Sequence, residues 1–145
     1  MIAYFNGSFL QKDDIHISPD DRGFLFSDGV YEVVRAYRGR PFKMAEHMDR
    51  LARSLRETRI DFPGVADLAV AGAKLIAMNG LGQADSLIYF QVTRGVAPRK
   101  HTFPGPPGPA AGMVGMAPAP ASAELRAKGG GASRRAAYRG SRTDN

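Results

Sequence analysis

The chain opens with a β-type pattern of hydrophobic and polar residues. In AYFNGSFLQ, Asn6 and Gly7 lie between aromatic and apolar positions. Asn-Gly readily adopts the positive φ angles of a tight turn, so this stretch predicts a β-hairpin. The next stretch, IHIS, alternates briefly and indicates a third strand. PDDRGFLFSDG, which follows it, is typical of a loop.

Longer periodic stretches follow and settle the fold class. VYEVVRAYRGRPFK is rich in β-branched and aromatic residues and predicts two strands. MAEHMDRLARSLRETRI and VADLAVAGAKLIAMNG have apolar residues at helical spacing and predict two helices, the second ending at Asn79-Gly80. SLIYFQVTRG predicts a buried strand. This order predicts an α+β fold with a mixed or antiparallel sheet and two helices, not a βαβ repeat.

The composition changes after Pro104. Beyond that residue only Val114 and Leu125 belong to the set of Val, Leu, Ile and Phe. We therefore expect one folded unit over residues 1–104 and a low-complexity, disordered tail over residues 105–145. The Gly, Ala, Pro and Arg bias of the tail is what an out-of-frame reading of GC-rich DNA would yield. A frameshift is one hypothesis for the tail, and a natural short variant is the other.

The positive charge is concentrated in the same tail. The net charge is +6; residues 1–100 hold 14 Lys/Arg against 12 Asp/Glu, and residues 101–145 hold 6 against 2. A basic tail is compatible with binding to nucleic acid or acidic lipid. No base-stacking aromatic pattern accompanies the charge, so we expect no nucleic-acid partner.

Other classes of protein are excluded by residue usage. The chain has no cysteine, which rules out disulfides and cysteine-based metal sites. His16 and His47 lack the spaced partners of a metal site. No apolar stretch has the form of a signal peptide or the length of a membrane span, so we expect a cytoplasmic protein with no membrane partner.

Four residues are candidates for chemistry: Tyr31, Arg50, Arg99 and His101. Tyr31 lies in an alternating strand, where a packed tyrosine is the simpler interpretation. Arg50 belongs to an arginine stripe on the first predicted helix, where a solvated face is the usual reason for arginine.

The other two candidates share a restricted loop. Arg99 and His101 lie between Pro98 and Pro104, and proline limits the backbone on both sides of the pair. A guanidinium and an imidazole in a fixed relation suit the capture of a carboxylate. An exposed basic loop with no ligand is the alternative.

Three stretches resemble the N-terminal part of D-amino-acid aminotransferases: YFNGSF, DRGFLFSDGVYEVVRAYRGRPFKMAEHMDRL and YFQVTRGVAPRKHTFP. That family belongs to the pyridoxal-phosphate aminotransferases that include branched-chain aminotransferases and aminodeoxychorismate lyase. The resemblance covers residues 2–104, with a looser continuation to SAELRAKG. It implies the N-terminal domain of the fold-type-IV aminotransferase fold, D-amino-acid and 2-oxo-acid substrates, and a homodimer. The PRKH loop favours the D-amino-acid branch, and a branched-chain or lyase-like fragment is the alternative.

The resemblance also implies roles for the four candidates. Arg50 matches the arginine that holds the phosphate of pyridoxal 5′-phosphate, and Tyr31 matches a tyrosine near the substrate carboxylate. Arg99 and His101 match a substrate-carboxylate trap, which in the family serves the site of the neighbouring subunit.

The family's Schiff-base lysine has no match. It lies in a motif resembling DIKSLN, which this sequence lacks, and Lys128 is the only lysine after Thr102. We therefore expect the cofactor-holding second domain and any catalytic residue to be absent. The expected protein is a truncated transaminase that is inactive alone. The full enzyme would convert D-alanine and a 2-oxo acid into pyruvate and a new D-amino acid. A non-catalytic carboxylate-binding or dimerisation module is the alternative.

Overall fold

A computed structural model describes residues 1–104 and 108–119. Its elements are β1 (Ile2–Phe5), β2 (Ser8–Gln11), a 3-10 turn (Lys12–Asp14), α1 (Arg22–Phe26), β3 (Gly29–Tyr37), β4 (Arg40–Pro41), α2 (Met44–Glu57), α3 (Val65–Met78), β5 (Ser86–Thr93) and β6 (Ala111–Pro118).

The strands form one sheet in the order β2-β1-β6-β5-β3-β4, and every neighbouring pair is antiparallel. With two long helices beside one antiparallel sheet, the predicted α+β class is confirmed. The predicted amino-terminal hairpin is confirmed too, because Asn6 and Gly7 take φ angles of 45° and 94° between β1 and β2.

Both long helices lie against the same face of the sheet. β5 has every second residue buried, and its buried Ile88 and Phe90 belong to one apolar core with Leu51 of α2 and Leu68 of α3. On β3 the buried residues are likewise every second one from position 32 to position 36. The sheet therefore has a helix-covered face and an open face. Because side chains alternate along each strand, the position of a residue in its strand decides on which of the two faces its side chain lies.

The amino-terminal loop differs from its prediction. IHIS does not form a strand, since four alternating residues give a short signal, and Ile17 is exposed. Within the predicted loop, α1 forms instead. Asp21 begins this short helix, because its Oδ1 accepts a hydrogen bond from the Gly23 amide at 2.7 Å.

The largest difference concerns residues 111–118, which the composition placed in the low-complexity tail. They form β6, in the interior of the sheet, and Val114 is fully buried. Gly112 fits here because a side chain at this position would meet the Phe62 ring at 2.8 Å. Small residues thus serve packing in β6, and the folded unit does not end at Pro104. Lys128 and the rest of the tail lie outside the described residues.

No helix in the described part of the chain has the length and apolar content needed to cross a membrane.

Candidate functional site

Arg50 is held by a carboxylate from the covered face of the sheet. Its Nε and Nη2 donate to the two oxygens of Glu32 at 2.5 and 2.7 Å. His47, one turn earlier on α2, contacts the same carboxylate through Nδ1 at 2.8 Å. Since an ionised carboxylate only accepts, Nδ1 carries the hydrogen in this contact. One carboxylate thus fixes two side chains of α2.

The ion pair leaves Arg50 open to solvent on its other side. The Glu32 side chain is only 6% exposed, whereas that of Arg50 is 54% exposed. The hydrogen bond from Arg50 lowers the pKa of Glu32, and the bond from His47 acts in the same direction against the effect of burial. The same bond with Glu32 raises the pKa of Arg50 above its usual value. Arg50 is therefore a permanent cation with a fixed orientation, and its Nη1 takes no part in the pair with Glu32.

The surroundings of Arg50 are charged. A shallow hollow on α2 is lined by Glu46, Asp49, Arg50, Arg53 and Arg56. Three guanidinium groups and two carboxylates line this hollow, and Glu32 pairs with one of the three guanidinium groups. The guanidinium groups supply donors that suit an anion with its own hydrogen-bond acceptors, such as a phosphate.

Tyr31 lies on the other face of the sheet. It is 64% exposed and stacks on Tyr89 of the neighbouring strand, with ring centroids 5.8 Å apart. Burial, and then the neighbouring Tyr31, raise the pKa of Tyr89. Both rings line an open cavity of about 800 Å³ whose wall includes Gln91 and Thr93. The Tyr89 hydroxyl donates to the Gln91 side chain at 2.5 Å, which fixes this polar wall.

Arg99 and His101 lie together beside a third aromatic side chain. The His101 ring meets the edge of Phe26 at a centroid distance of 5.4 Å, and the Arg99 guanidinium is 5.8 Å from the same ring. Both side chains are otherwise exposed. The predicted pair is therefore brought to one place, at the end of α1.

The four candidates do not form one cluster within this chain. Tyr31 and Glu32 are neighbours in β3 and project from opposite faces, so Tyr31 and Arg50 lie on opposite sides of that strand. Arg99 and His101 contact Phe26 of α1 rather than Tyr31 or Arg50.

Sequence reasoning missed the carboxylates that hold this arrangement. The sequence did contain a signal that Glu32 is buried, because Glu32 alternates in phase with the buried Val34 and Ala36 of the same strand. Asp28 is the second one: its Oδ2 accepts from Arg22 at 2.8 Å and from Arg94 at 2.7 Å. Arg22 is only six residues from Asp28, but Arg94 is 66 residues away, so no local pattern could reveal the contact with Arg94.

Comparisons with known proteins bear on the whole arrangement. A family model described as amino-transferase class IV matches residues 29–142. A D-alanine aminotransferase of Staphylococcus haemolyticus is 40% identical over 105 residues, which are 72% of this chain and 36% of the relative. The D-alanine aminotransferase of Bacillus licheniformis is 40% identical over 104 residues, 71% of this chain and 36% of the relative. The chain thus spans about a third of the length of these curated relatives.

Solved structures share the fold. A branched-chain amino acid aminotransferase of Escherichia coli superposes with a TM-score of 0.74 at 21% identity, over 83% of this chain and 40% of that one. A 4-amino-4-deoxychorismate lyase from Pseudomonas aeruginosa gives a TM-score of 0.64 at 23% identity, over 85% and 42%. At these identities the likeness concerns the backbone architecture, which matches the expected fold-type-IV N-terminal domain.

Proposed function

The chain belongs to the class IV aminotransferase family, and we propose that it carries the phosphate-binding and carboxylate-binding half of a D-amino-acid transaminase site. The reaction passes the amino group of D-alanine to a 2-oxo acid, giving pyruvate and a new D-amino acid. The identity to D-alanine aminotransferases supports this substrate class over the branched-chain and lyase alternatives.

One observation carries the proposal: the fixed, half-exposed guanidinium of Arg50. Glu32 occupies Nε and Nη2, and Arg50 lines a hollow to which Arg53 and Arg56 also contribute. A guanidinium held in this way is preorganised for a phosphate, because it needs no rearrangement to donate. This chemistry fits the phosphate of pyridoxal 5′-phosphate, with Arg50 as the residue that would hold it.

The other candidates have roles on the substrate side. Bound pyridoxal phosphate supplies an electron sink for the substrate α-carbon. Arg99 and His101 bind the substrate carboxylate, and Tyr31 orients it from the open face of the sheet. Since these groups do not converge within one chain, the proposal includes a homodimer in which the Arg99/His101 pair of one subunit serves the other.

The phosphate role can be tested with pyridoxal phosphate and phosphate-free pyridoxal as paired probes. Wild-type protein is expected to retain pyridoxal phosphate more tightly than pyridoxal in equilibrium dialysis. Arg50→Gln should abolish that preference, and Arg38→Gln, which removes an exposed arginine of the β3–β4 turn away from the hollow, should keep it. Equal preference in the two variants would remove Arg50 from the phosphate site.

We further propose that these 145 residues do not transaminate by themselves, because no segment of them resembles the family's lysine motif. Incubation with pyridoxal phosphate, D-alanine and 2-oxoglutarate is expected to yield no pyruvate. Binding of D-alanine without turnover, lost in Arg99→Ala, would support the reading as a carboxylate-binding module. Appreciable pyruvate formation would defeat the proposal of inactivity.

A further inference from the structure

One carboxylate oxygen joins two buried arginines beneath the Arg99/His101 segment. Asp28 Oδ2 accepts from Arg22 Nε and from Arg94 Nε, and both arginines are almost fully buried. The backbone adds to the contact, since the Arg94 amide donates to the Asp28 carbonyl at 3.0 Å. Asp28 therefore ties α1 to the end of β5 at the point where the segment leaves the sheet.

Both arginines extend from Asp28 to the segment formed by residues 98–104. Arg22 Nη1 donates to the carbonyl oxygen of Lys100 at 2.9 Å. The Arg94 guanidinium lies over the ring of Phe103, 4.6 Å from its centroid. These two contacts bracket His101 along the chain.

The Phe26 ring connects Arg22 with the side chains of Arg99 and His101. The Arg22 guanidinium lies 4.7 Å from the centroid of this ring, and His101 and Arg99 contact the same ring. Arg22 thus holds both the main chain between the pair and the aromatic surface on which the pair rests.

We propose that Asp28 is the positioning residue of the Arg99/His101 pair. Two buried guanidinium groups depend on its charge, and a buried cation that loses its counter-ion is strongly destabilised. The Arg94 guanidinium also donates to the carbonyl oxygens of Arg59 and Thr58 at 2.6 and 2.7 Å, which hold it without Asp28. Loss of the carboxylate therefore acts on the segment mainly through Arg22, which loses its counter-ion and releases the carbonyl oxygen of Lys100. The part of this inference that concerns carboxylate capture rests on the proposed function; the anchoring of the segment does not.

A rival cause of order in the segment is its own proline content. Pro98 and Pro104 restrict the backbone whatever lies beneath them. If they alone define the segment, a change at Asp28 leaves its order unaltered. The two causes therefore predict different results for one substitution.

Trypsin distinguishes these causes, since it cleaves after Arg99 and after Lys100. We compare wild-type, Asp28→Asn and Asp20→Asn full-length chains; Asp20 is an exposed acid on the opposite side of α1 along the chain. Cleavage after Arg38, in the β3–β4 turn, serves as the internal reference. Asp28→Asn is expected to raise the ratio of segment to reference cleavage about tenfold, because the open population grows when a charged hydrogen bond is lost. Asp20→Asn should leave the ratio unchanged, and equal ratios in all three proteins overturn the proposal.

A second variant covers the case in which Asp28→Asn unfolds and every bond is cleaved faster. Phe103→Ala removes an exposed ring that contacts Arg94, and it leaves the core intact. It should raise cleavage after Lys100 relative to the reference, and an unchanged ratio counts against the anchoring.

Calorimetric titration with D-alanine separates anchoring from capture. If folded Asp28→Asn shows a raised ratio of segment to reference cleavage and binds D-alanine roughly tenfold more weakly, Asp28 has the proposed positioning role, since small misplacements of binding groups are costly. A raised cleavage ratio together with a wild-type affinity for D-alanine refutes that role. If wild-type protein itself fails to bind D-alanine, the proposed function fails, and the cleavage ratio still decides the anchoring.

Discussion

Asn79, which ends α3, exchanges two hydrogen bonds with the backbone of Ile2. The Ile2 amide donates to Asn79 Oδ1 at 2.8 Å, and Asn79 Nδ2 donates to the Ile2 carbonyl at 3.0 Å. A side chain thereby imitates a strand neighbour and fastens the first strand to the last turn of a helix.

Replacing Asn79 is expected to destabilise the fold. Asn79→Ala leaves the amide and carbonyl of Ile2 without their partner, at a cost of about 1–3 kcal/mol. Urea denaturation followed by circular dichroism measures the difference. Gln83→Ala, an exposed amide loss in the following turn, is the matched control. A free energy of unfolding equal in the two variants would show that the link to Ile2 contributes nothing.

The pair of Glu32 and Arg50 should give the protein an acid-sensitive part of its stability. The pKa of Glu32 is lowered in the folded state. Below the ordinary carboxyl pKa of about 4.3, the unfolded state therefore binds more protons. Stability that is present at neutral pH is then lost as the pH falls through the folded-state pKa.

Glu32→Gln tests this pH dependence. We expect the variant to be less stable than wild type at pH 7 and to lose less stability on acidification. Urea unfolding at a series of pH values between 7 and 3 gives both quantities. Asp49→Asn removes an exposed carboxylate beside Arg50 and should follow the wild-type profile. A Glu32→Gln profile parallel to wild type would contradict the assignment.

The position of β6 leads to a paired test of its two faces. Val114 is fully buried against the helices, whereas Met113 points to the open face and is half-buried. Val114→Ala should lower the free energy of unfolding by about 1–3 kcal/mol through lost burial and a residual cavity. Met113→Ala should have a smaller effect. The reverse order in urea denaturation would be incompatible with the register of β6.

Gly72 on α3 is in close contact with the core. A methyl group here would stand 2.8 Å from the tip of the Phe90 ring, and that ring is fully buried. Gly72→Ala is therefore expected to destabilise by about 1–3 kcal/mol through overpacking, despite the better helix propensity of alanine.

Gly115→Ala is the control for this substitution. Nothing lies within 4 Å of the new methyl group on the open face of β6. Its thermal unfolding temperature should stay near that of wild type while that of Gly72→Ala falls. Equal effects would mean that the Phe90 ring can move aside.

Local signals account for the elements that the sequence predicted correctly. The Asn6-Gly7 turn, the helical spacing of α2 and α3 and the alternation of β5 all reside within a few neighbouring residues. β6 was missed because its small residues resemble low complexity. Their fitness for a strand comes from Phe62 and Leu68, which lie elsewhere in the chain and occupy the space above Gly112.

The same limit applies to the candidate site. Arg99 and His101 were candidates because of their proline-bounded loop, but the roles expected of them and of Arg50 came from the resemblance, since an arginine on a helix or in a loop has many uses. Their supports are non-local: Glu32 lies on another element than Arg50, and Asp28 lies far along the chain from Arg94. Buried charge pairs of this kind become visible only when the fold brings them together.

The position of β6 in the sheet has a consequence for folding during synthesis on the ribosome. The amino-terminal hairpin is made first, yet among the described strands it joins β5 and β3 through β6, which pairs Met113 with Phe5. Until that late segment emerges, the nascent chain presents two bare strand edges, on β1 and on β5. Such edges recruit neighbouring chains, so the yield of correctly folded polypeptide depends on how quickly β6 arrives.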